Sequence, residues 1–502
     1  MNAVLAQAGS FQGPDVQWWE LSPLLVLVGG GLAMLVLAAL LPRRWPRGGY
    51  AFVTCTVAGA AAVLSLFLWD DVQEGAAGGL VAAALSFDGF AVFLTFTMCV
   101  AVILTALFLD DYLRREDLDG AEVYGLLLMC VAGGVVMVAA NDLIVLFLGL
   151  ETLSLSMYVL AGSHLRRIRS QEAALKYFVL GGFSSAFFLY GIALVYGATG
   201  STNMGRIAAF LSQNALLDDA LLLAGFGLML VGLLFKVSAV PFHWWAPDAY
   251  QGAPSPVTGF MASVGKVAAF GALVRAFVVL FGQYRLDWQP VLYVVAILTL
   301  LVGAVLAVVQ TDVKRMLAYS SVNHAGFMLV AVEVADTEGT AAVAFYLITY
   351  SVMVVGTFGM LAFLGRTTDG THPLDSFRGV SRQRPVLAFL FTVLLLSQAG
   401  VPFTSGFLAK FNVISATVNG GQWPLALVAM LAAVIAAFLY LRIIVSMYLQ
   451  DPAESAPPPT RSLATSSGLA LGLAVVFTLV VGIVPGGLID LARDAVPLLA
   501  LP

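Results

Sequence analysis

The chain has 502 residues, of which 60% are hydrophobic and 11% charged, and its formal net charge is -5. A mean hydropathy of +0.95 makes hydrocarbon its preferred solvent and excludes an ordinary soluble domain. Its 24 basic residues against 29 acidic ones leave no electrostatic footprint for nucleic acid.

The opening MNAVLAQAGSFQGPDVQWWE lacks a basic stretch followed by an apolar one, so it does not read as a cleavable signal peptide and is expected to stay in the mature protein. Trp18 and Trp19 suit an interfacial anchor before the first span. Apolar runs of about 18 residues or more follow, each long enough to cross a core of roughly 30 Å as helix. The fourteen runs cover 22–42, 50–69, 88–110, 122–140, 143–163, 174–197, 219–241, 256–281, 289–310, 315–333, 340–365, 386–418 with an interruption, 423–449 and 465–490. They are apolar all round instead of alternating, which lipid tolerates only in helices. The expected fold is therefore all-α and polytopic. It divides into three N-terminal helices (1–121), two five-helix units (122–281 and 289–450), and a loop with a last helix (451–502).

The two units are suggested by a shared flaw. Proline inside a helix removes a hydrogen bond and clashes with the preceding turn, and the seventh and twelfth runs carry the same tripeptide at such a point, Val240-Pro241-Phe242 and Val401-Pro402-Phe403, 161 residues apart. Five spans per unit would make the copies inverted. Interrupted helices at matching positions of inverted repeats point to an ion pathway at mid-membrane, since unwound backbone is tolerated only where it lines a polar cavity.

Loop charges give an orientation. The odd-numbered loops hold fifteen basic residues, among them Arg43, Arg44, Arg166, Arg167, Lys314, Arg366 and Arg461, while the even side holds only Arg206, Arg285 and Arg493. The positive-inside bias then places both termini on the non-cytoplasmic side of a bacterial plasma (inner) membrane.

Ionisable residues within the spans carry the functional reading. Glu151, Lys236, Lys266 and Lys410 fall deep in apolar runs, with Arg275 and Arg442 nearer span ends, where they can snorkel to an interface or hold a structural ion pair. Each central charge costs about 2.5 to 3.5 kcal/mol on insertion scales, so these groups must face one another or water. Desolvation and a nearby opposite charge push a buried lysine's proton affinity in opposite directions, so a lysine whose partner can move becomes a two-state proton site. Cys55, Cys99 and Cys130 lie in spans without CxxC spacing, and neither a dinucleotide glycine fingerprint nor a phosphate loop is present. No cofactor or metal is expected on this chain.

The stretches LFLGLETLSLSMYVLAG and LLFKVSAVPFHWWAPDAYQGAPSPVTGFMASVGKVAAFGALVRAF resemble the antiporter-like membrane subunits of bacterial respiratory complex I, and the likeness runs through nearly all fourteen helices. Within that family the PDAYQGAPSPVT run and the modest length are most similar to the N-type subunit. The L-type carries a long lateral helix after its last span, and the M-type usually has glutamate where Lys410 stands. The resemblance implies that Glu151 pairs with Lys236 and sets its proton affinity, that Lys266 links the central axis, and that Lys410 is the terminal carrier. His243 and His324 suit a hydrated relay. It also implies sister antiporter-like and other membrane-arm subunits as partners within the lipid bilayer. Flavin mononucleotide, iron–sulfur clusters and quinone would be held elsewhere in the complex. Other readings are a subunit of a multisubunit sodium/proton antiporter, a stand-alone permease for a small solute, and a structural anchor whose charges only keep helices in register.

Overall fold

The computed structural model describes residues 16–40, 47–118, 120–214, 216, 219–364, 369–451 and 463–501. The segment 1–15, read above as retained, and Arg43, Arg44, Arg366 and Arg461 lie outside these residues. In chain order the first half comprises α1 (Ser22–Leu40), α2 (Arg47–Gln73), a hairpin of β1 (Gly78–Leu80) and β2 (Leu85–Phe87), α3 (Gly89–Arg115), α4 (Ala121–Ala139), α5 (Leu143–Ala161), α6 (Ile168–Thr199), α7 (Met204–Gln213), α8 (Ala220–Lys236), α9 (Trp245–Gly252) and α10 (Ser255–Leu273). The second half comprises α11 (Arg285–Val309), α12 (Val313–Val334), α13 (Thr337–Leu364), α14 (Val380–Gln383), α15 (Pro385–Ala399), α16 (Ser405–Asn419), α17 (Trp423–Leu449), α18 (Thr465–Ile483) and α19 (Gly486–Asp494).

Among the described residues, eleven helices are long and apolar enough to cross a membrane, and the chain is an all-α multi-pass membrane protein. The other three expected crossings fall short of that measure for physical reasons. Breaks leave α8 and α15 short, and α12 is made polar by Lys314, Arg315, Asn323, His324 and Glu333. The sixth helix starts at Ile168 and not at 174, because its first turns are polar. The fourteenth stops at Ile483, before Pro485, and α19 is separate. The hairpin and the amphipathic α7 were not expected.

Aspartates start several helices by accepting the orphan N–H groups of the first turn. Asp88 accepts from Ala91, Asp142 from Ile144, Asp219 from Leu222 and Asp312 from Arg315. Two of these caps also build a junction that occurs twice. Leu143 N donates to Thr202 O (2.9 Å) and Met204 N to Asn141 O (2.8 Å); 170 positions later, Val313 N donates to His372 O (2.7 Å) and Leu374 N to Thr311 O (2.9 Å). The free oxygens of Asp142 and Asp312 accept from Thr202 Oγ1 and His372 N respectively. The packing beside the junctions repeats in the same register. A Cβ on Gly133 would sit 2.5 Å from Leu153 N, and one on Gly303 2.6 Å from Asn323 N, so both helix pairs need glycine for their close approach.

The junctions lie on opposite faces. On one, Asn141 bonds Ala83 O and Ala500 O, and Asn203 bonds Ala83 O. On the other, Glu116 meets Arg167, which meets Asp369. Among the described residues, the loops at 116, 167 and 369 thus gather on one face, and those at 83, 141 and 203 with the C-terminal tail on the other.

Every residue of α10 is buried, and α13 is buried along nearly all its length. Around them α6 and α17 turn side chains such as Phe183 (67% exposed) and Val434 (72% exposed) outward, the pattern of a surface solvated by hydrocarbon. A π-helical stretch, Val274–Leu280, follows α10. Arg275 within it does not snorkel. It is fully buried, pairs with Asp88 at 2.8 Å and donates to Val138 O and Leu498 O, so it is the structural ion pair of the two roles foreseen for it. Arg442 caps the end of α11 by donating to Val308 O and Gln310 O.

Candidate functional site

Both expected helix breaks are present. α8 ends at Lys236, and irregular backbone runs to α9, with Ser238 at φ 60. The groups freed there are recaptured: Val240 N donates to Thr299 Oγ1 (3.0 Å), Trp245 Nε1 to Phe235 O (2.9 Å), and Lys266 Nζ to Val237 O (2.9 Å) and Ser238 Oγ (3.0 Å). At the second break α15 ends at Ala399, and Lys410 Nζ donates to Gln398 O (2.9 Å) and Ala399 O (3.0 Å). Gly400 takes φ 90, and a Cβ there would lie 3.0 Å from Lys410 Cδ. Glycine is required both by the left-handed backbone and by the lysine stem. In each case an ammonium replaces lost helical N–H donors at the negative end of a helix dipole.

Lys236 is held differently. Its Nζ lies 3.4 Å from Tyr177 Oη and 5.3 Å from the ring centroids of both Tyr158 and Tyr177, an arrangement favourable for cation–π attraction. The two rings meet edge to face at 4.7 Å, and Tyr177 stacks on Trp245 at 4.3 Å. The direct Glu151–Lys236 contact implied by the resemblance is not made. Glu151, on the partly exposed edge of α5, accepts from Ser185 Oγ, though it remains within Coulombic reach of Lys236.

His324 sits in a cluster of hydroxyls in the second half. Its Nδ1 lies 2.6 Å from Tyr346 Oη and its Nε2 3.1 Å from Tyr440 Oη, which also contacts Ser320 Oγ at 2.5 Å. Lys410 also packs over the Phe327 ring at 5.1 Å. His243 is buried beside Trp244 and Tyr319, and among the described residues no side chain bonds its ring nitrogens. Sequence reasoning did not single out the tyrosines or Ser321, which accepts from Tyr350 Oη at 2.8 Å. Polar side chains recurring inside apolar runs were the available signal. Lys314, counted above among solvent-facing loop charges, is fully buried: it donates to Ala253 O and lies 3.8 Å from Asp369.

The profile of the NADH:quinone oxidoreductase/Mrp antiporter transmembrane family matches residues 140–436, which include Glu151, the three lysines, His243 and His324. The chain belongs to this family. Among curated members, it is 41% identical to the NADH-quinone oxidoreductase subunit N of Parafrankia sp. (strain EAN1pec), over 98% of each chain. It is 42% identical to the subunit N of Acidothermus cellulolyticus, over 98% of this chain and 99% of that one. Among solved structures, a chain of respiratory complex I from Thermus thermophilus aligns over 94% of this chain and 99% of its own, with 32% identity and a TM-score of 0.78. A chain of the Mrp complex from Dietzia sp. shares the fold, with a TM-score of 0.82 at 23% identity. The family spans both kinds of assembly, and the matched segment begins at the first copy of the duplicated junction.

Proposed function

We propose that this chain is the N-type subunit of a bacterial proton-translocating NADH:quinone oxidoreductase, and that it conducts protons along Lys236, Lys266, His324 and Lys410. One observation carries this reading. The three lysine ammonium groups in the apolar interior are held by tyrosine rings, a serine hydroxyl and backbone carbonyls, and none by a carboxylate within 4 Å among the described residues. A lysine paired with a buried carboxylate leaves an uncompensated anion when it gives up its proton. A lysine held by neutral dipoles does not, so it can exchange protons with its neighbours.

The duplicated junction, on opposite faces and in one 170-residue register, supports two inverted five-helix units, 122–281 and 289–450, flanked by three helices in 1–121 and a last helix in 451–502, with fourteen crossings in all. The basic excess of the odd loops supports a cytoplasmic odd face, with both termini on the other side of the inner membrane. Flavin, iron–sulfur clusters and quinone belong to partner subunits. Their redox chemistry moves Glu151 toward or away from Lys236, and the proton then passes by Lys266 and His324 to Lys410, with His243 hydrating the first break. Moving a proton against 100 mV costs about 2.3 kcal/mol, and each pKa unit by which a lysine's affinity changes is worth about 1.4 kcal/mol, so a modest displacement of Glu151 is of sufficient size.

The test is Lys236→Ala in the assembled complex. NADH-driven proton translocation in membrane vesicles is expected to collapse while assembly persists, and full pumping would refute the role. Copurification of a tagged copy with flavin and iron–sulfur subunits, and not only with antiporter-like subunits, separates this reading from the sodium/proton antiporter.

A further inference from the structure

On the face that gathers the loops at 116, 167 and 369, a pocket of about 410 Å³ opens between Arg166, Ile168 and Arg169 on one side and Gln251, Gly252 and Asp369 on the other. Two of its lining residues, Asp369 and Arg167, belong to a buried charge cluster with no place in the path described so far. Asp369 accepts from Ser255 N at 2.9 Å and from Ser255 Oγ. Around the same carboxylate stand His372 Nε2 at 3.3 Å, Arg167 at 3.7 Å and Lys314 Nζ at 3.8 Å. The side chains of Asp369, His372 and Lys314 are each at most 2% exposed. Burial alone would raise the Asp369 carboxyl, but Lys314, His372 and the Ser255 hydroxyl hold it well below the usual carboxylate range.

A staple fixing the loop to α12 would need one cation on this carboxylate, and two are already present. The imidazole is surplus to charge balance. It is also the one side chain of the three that can accept a proton on one ring nitrogen while donating from the other. Its backbone is clamped to the start of α12 by the N–H bond to Asp312 Oδ2 (2.8 Å) and the carbonyl bond from Val313 N (2.7 Å). Along α12, Ser321 lies two turns beyond Lys314 on the same helix face, bonded by Tyr350 Oη. His324 lies ten residues beyond Lys314, roughly 15 Å of helix. A pocket wide enough for several waters is therefore lined by Thr371 and by the carboxylate that holds His372, at the head of the helix that carries the central relay histidine.

We propose that His372, oriented by Asp369, loads protons from this pocket into the polar axis; this rests on the conducting function proposed above. In the tautomer with hydrogen on Nε2, that hydrogen stays bonded to Asp369 while pocket water delivers a proton to Nδ1. The imidazolium returns to neutral by releasing one proton toward the hydroxyls near Ser321.

The experiment compares His372→Ala, His372→Gln and Lys410→Ala in membrane vesicles holding the intact complex, with NADH-driven proton translocation measured with and without added imidazole. Reduction of an artificial electron acceptor by NADH serves as the measure of assembly. Both His372 variants are expected to assemble and to lose translocation by roughly tenfold or more, the scale of a missing proton-transfer group. Imidazole, small enough for the pocket, is expected to restore His372→Ala and not Lys410→Ala. Should His372→Ala fail to assemble, His372→Gln decides, since glutamine keeps a bond to Asp369 but carries no exchangeable charge. Parental translocation in either assembled His372 variant, or a deficit that imidazole does not relieve, overturns the proposal. Loss in Lys410→Ala beside normal His372 variants overturns only the loading site, whereas normal translocation in all three overturns the conducting function itself.

Discussion

At the break between α8 and α9 the freed carbonyl of Val237 is capped by a lysine from another helix, Lys266, whereas at the break between α15 and α16 the carbonyls of Gln398 and Ala399 are capped by Lys410 of the same interrupted helix. The first break therefore has a lysine to spare. Lys236 stands at the end of α8 with only a 3.4 Å contact to Tyr177 Oη and two aromatic faces. Hydrogen bonds to a charged group contribute about 1.5 to 3 kcal/mol each, against about 0.5 to 1.5 for neutral ones, so Lys266 and Lys410 each lose the charge assistance on two bonds on giving up a proton, and Lys236 loses much less. The two breaks share a capping device, but only the first has a loosely held ammonium near a carboxylate, Glu151. Under the conducting function proposed above, the comparison suits Lys236 to switching and Lys410 to a firmly seated terminal position.

The largest expected effect tests that terminal position. Arginine keeps the donors needed to cap Gln398 O and Ala399 O but stays protonated at any working pH. Lys410→Arg should therefore assemble normally, as judged by native electrophoresis of the complex, and lose proton translocation by roughly tenfold or more. Retained pumping would reduce Lys410 to a helix cap and erase the distinction between the breaks. A middle-sized effect is expected from Gly400→Ala. The new Cβ meets a backbone at φ 90 and lies 3.0 Å from Lys410 Cδ, a left-handed strain of about 1 to 3 kcal/mol. It should lower the thermal stability of the subunit and displace Lys410 from its carbonyls. The first break has Ser238 in its left-handed turn and depends on no glycine there.

Much of this was legible in the sequence because its physics is local. Pro241 and Pro402 break helices wherever they stand, and Lys236, Lys266 and Lys410 are conspicuous against apolar neighbours. The groups that hold these lysines were not legible, since backbone carbonyls carry no sequence signature and Tyr158, Tyr177, Tyr346 and Tyr440 read as ordinary apolar filling. Charges near span ends misled for the same reason. Lys314 sits in a basic stretch that looks solvated, and only the fold shows that Asp369, from a distant loop, buries it. The 161-residue spacing of the tripeptides differs from the 170-residue register of the junctions because the first unit is longer from junction to proline. The extra residues are spread over the stretch before the broken helix, where α7 stands against a 3-10 turn and α14, the helix itself and the break. Extra length of that kind moves a motif without disturbing the packing on either side of it.

The smallest effect is the most informative about how Lys236 is held. Tyr177→Phe removes the hydroxyl but leaves the ring 5.3 Å from Nζ and stacked on Trp245. At 3.4 Å the lost hydrogen bond lies at the long end of useful geometry. Its net contribution is then at the low side of about 0.5 to 1.5 kcal/mol, and translocation should fall by only about two- to fivefold. Tyr177→Leu, which removes the aromatic face as well, should cost more, since cation–π attraction at a desolvated site is worth about 2 kcal/mol. Initial rates of NADH-driven acidification for the pair measure the two contributions separately. If Tyr177→Phe proved as damaging as Lys236→Ala, the hydroxyl would be a conductor of the proton and not a support for the ammonium, and the first break would resemble the second, where His324 already sits between two tyrosine hydroxyls.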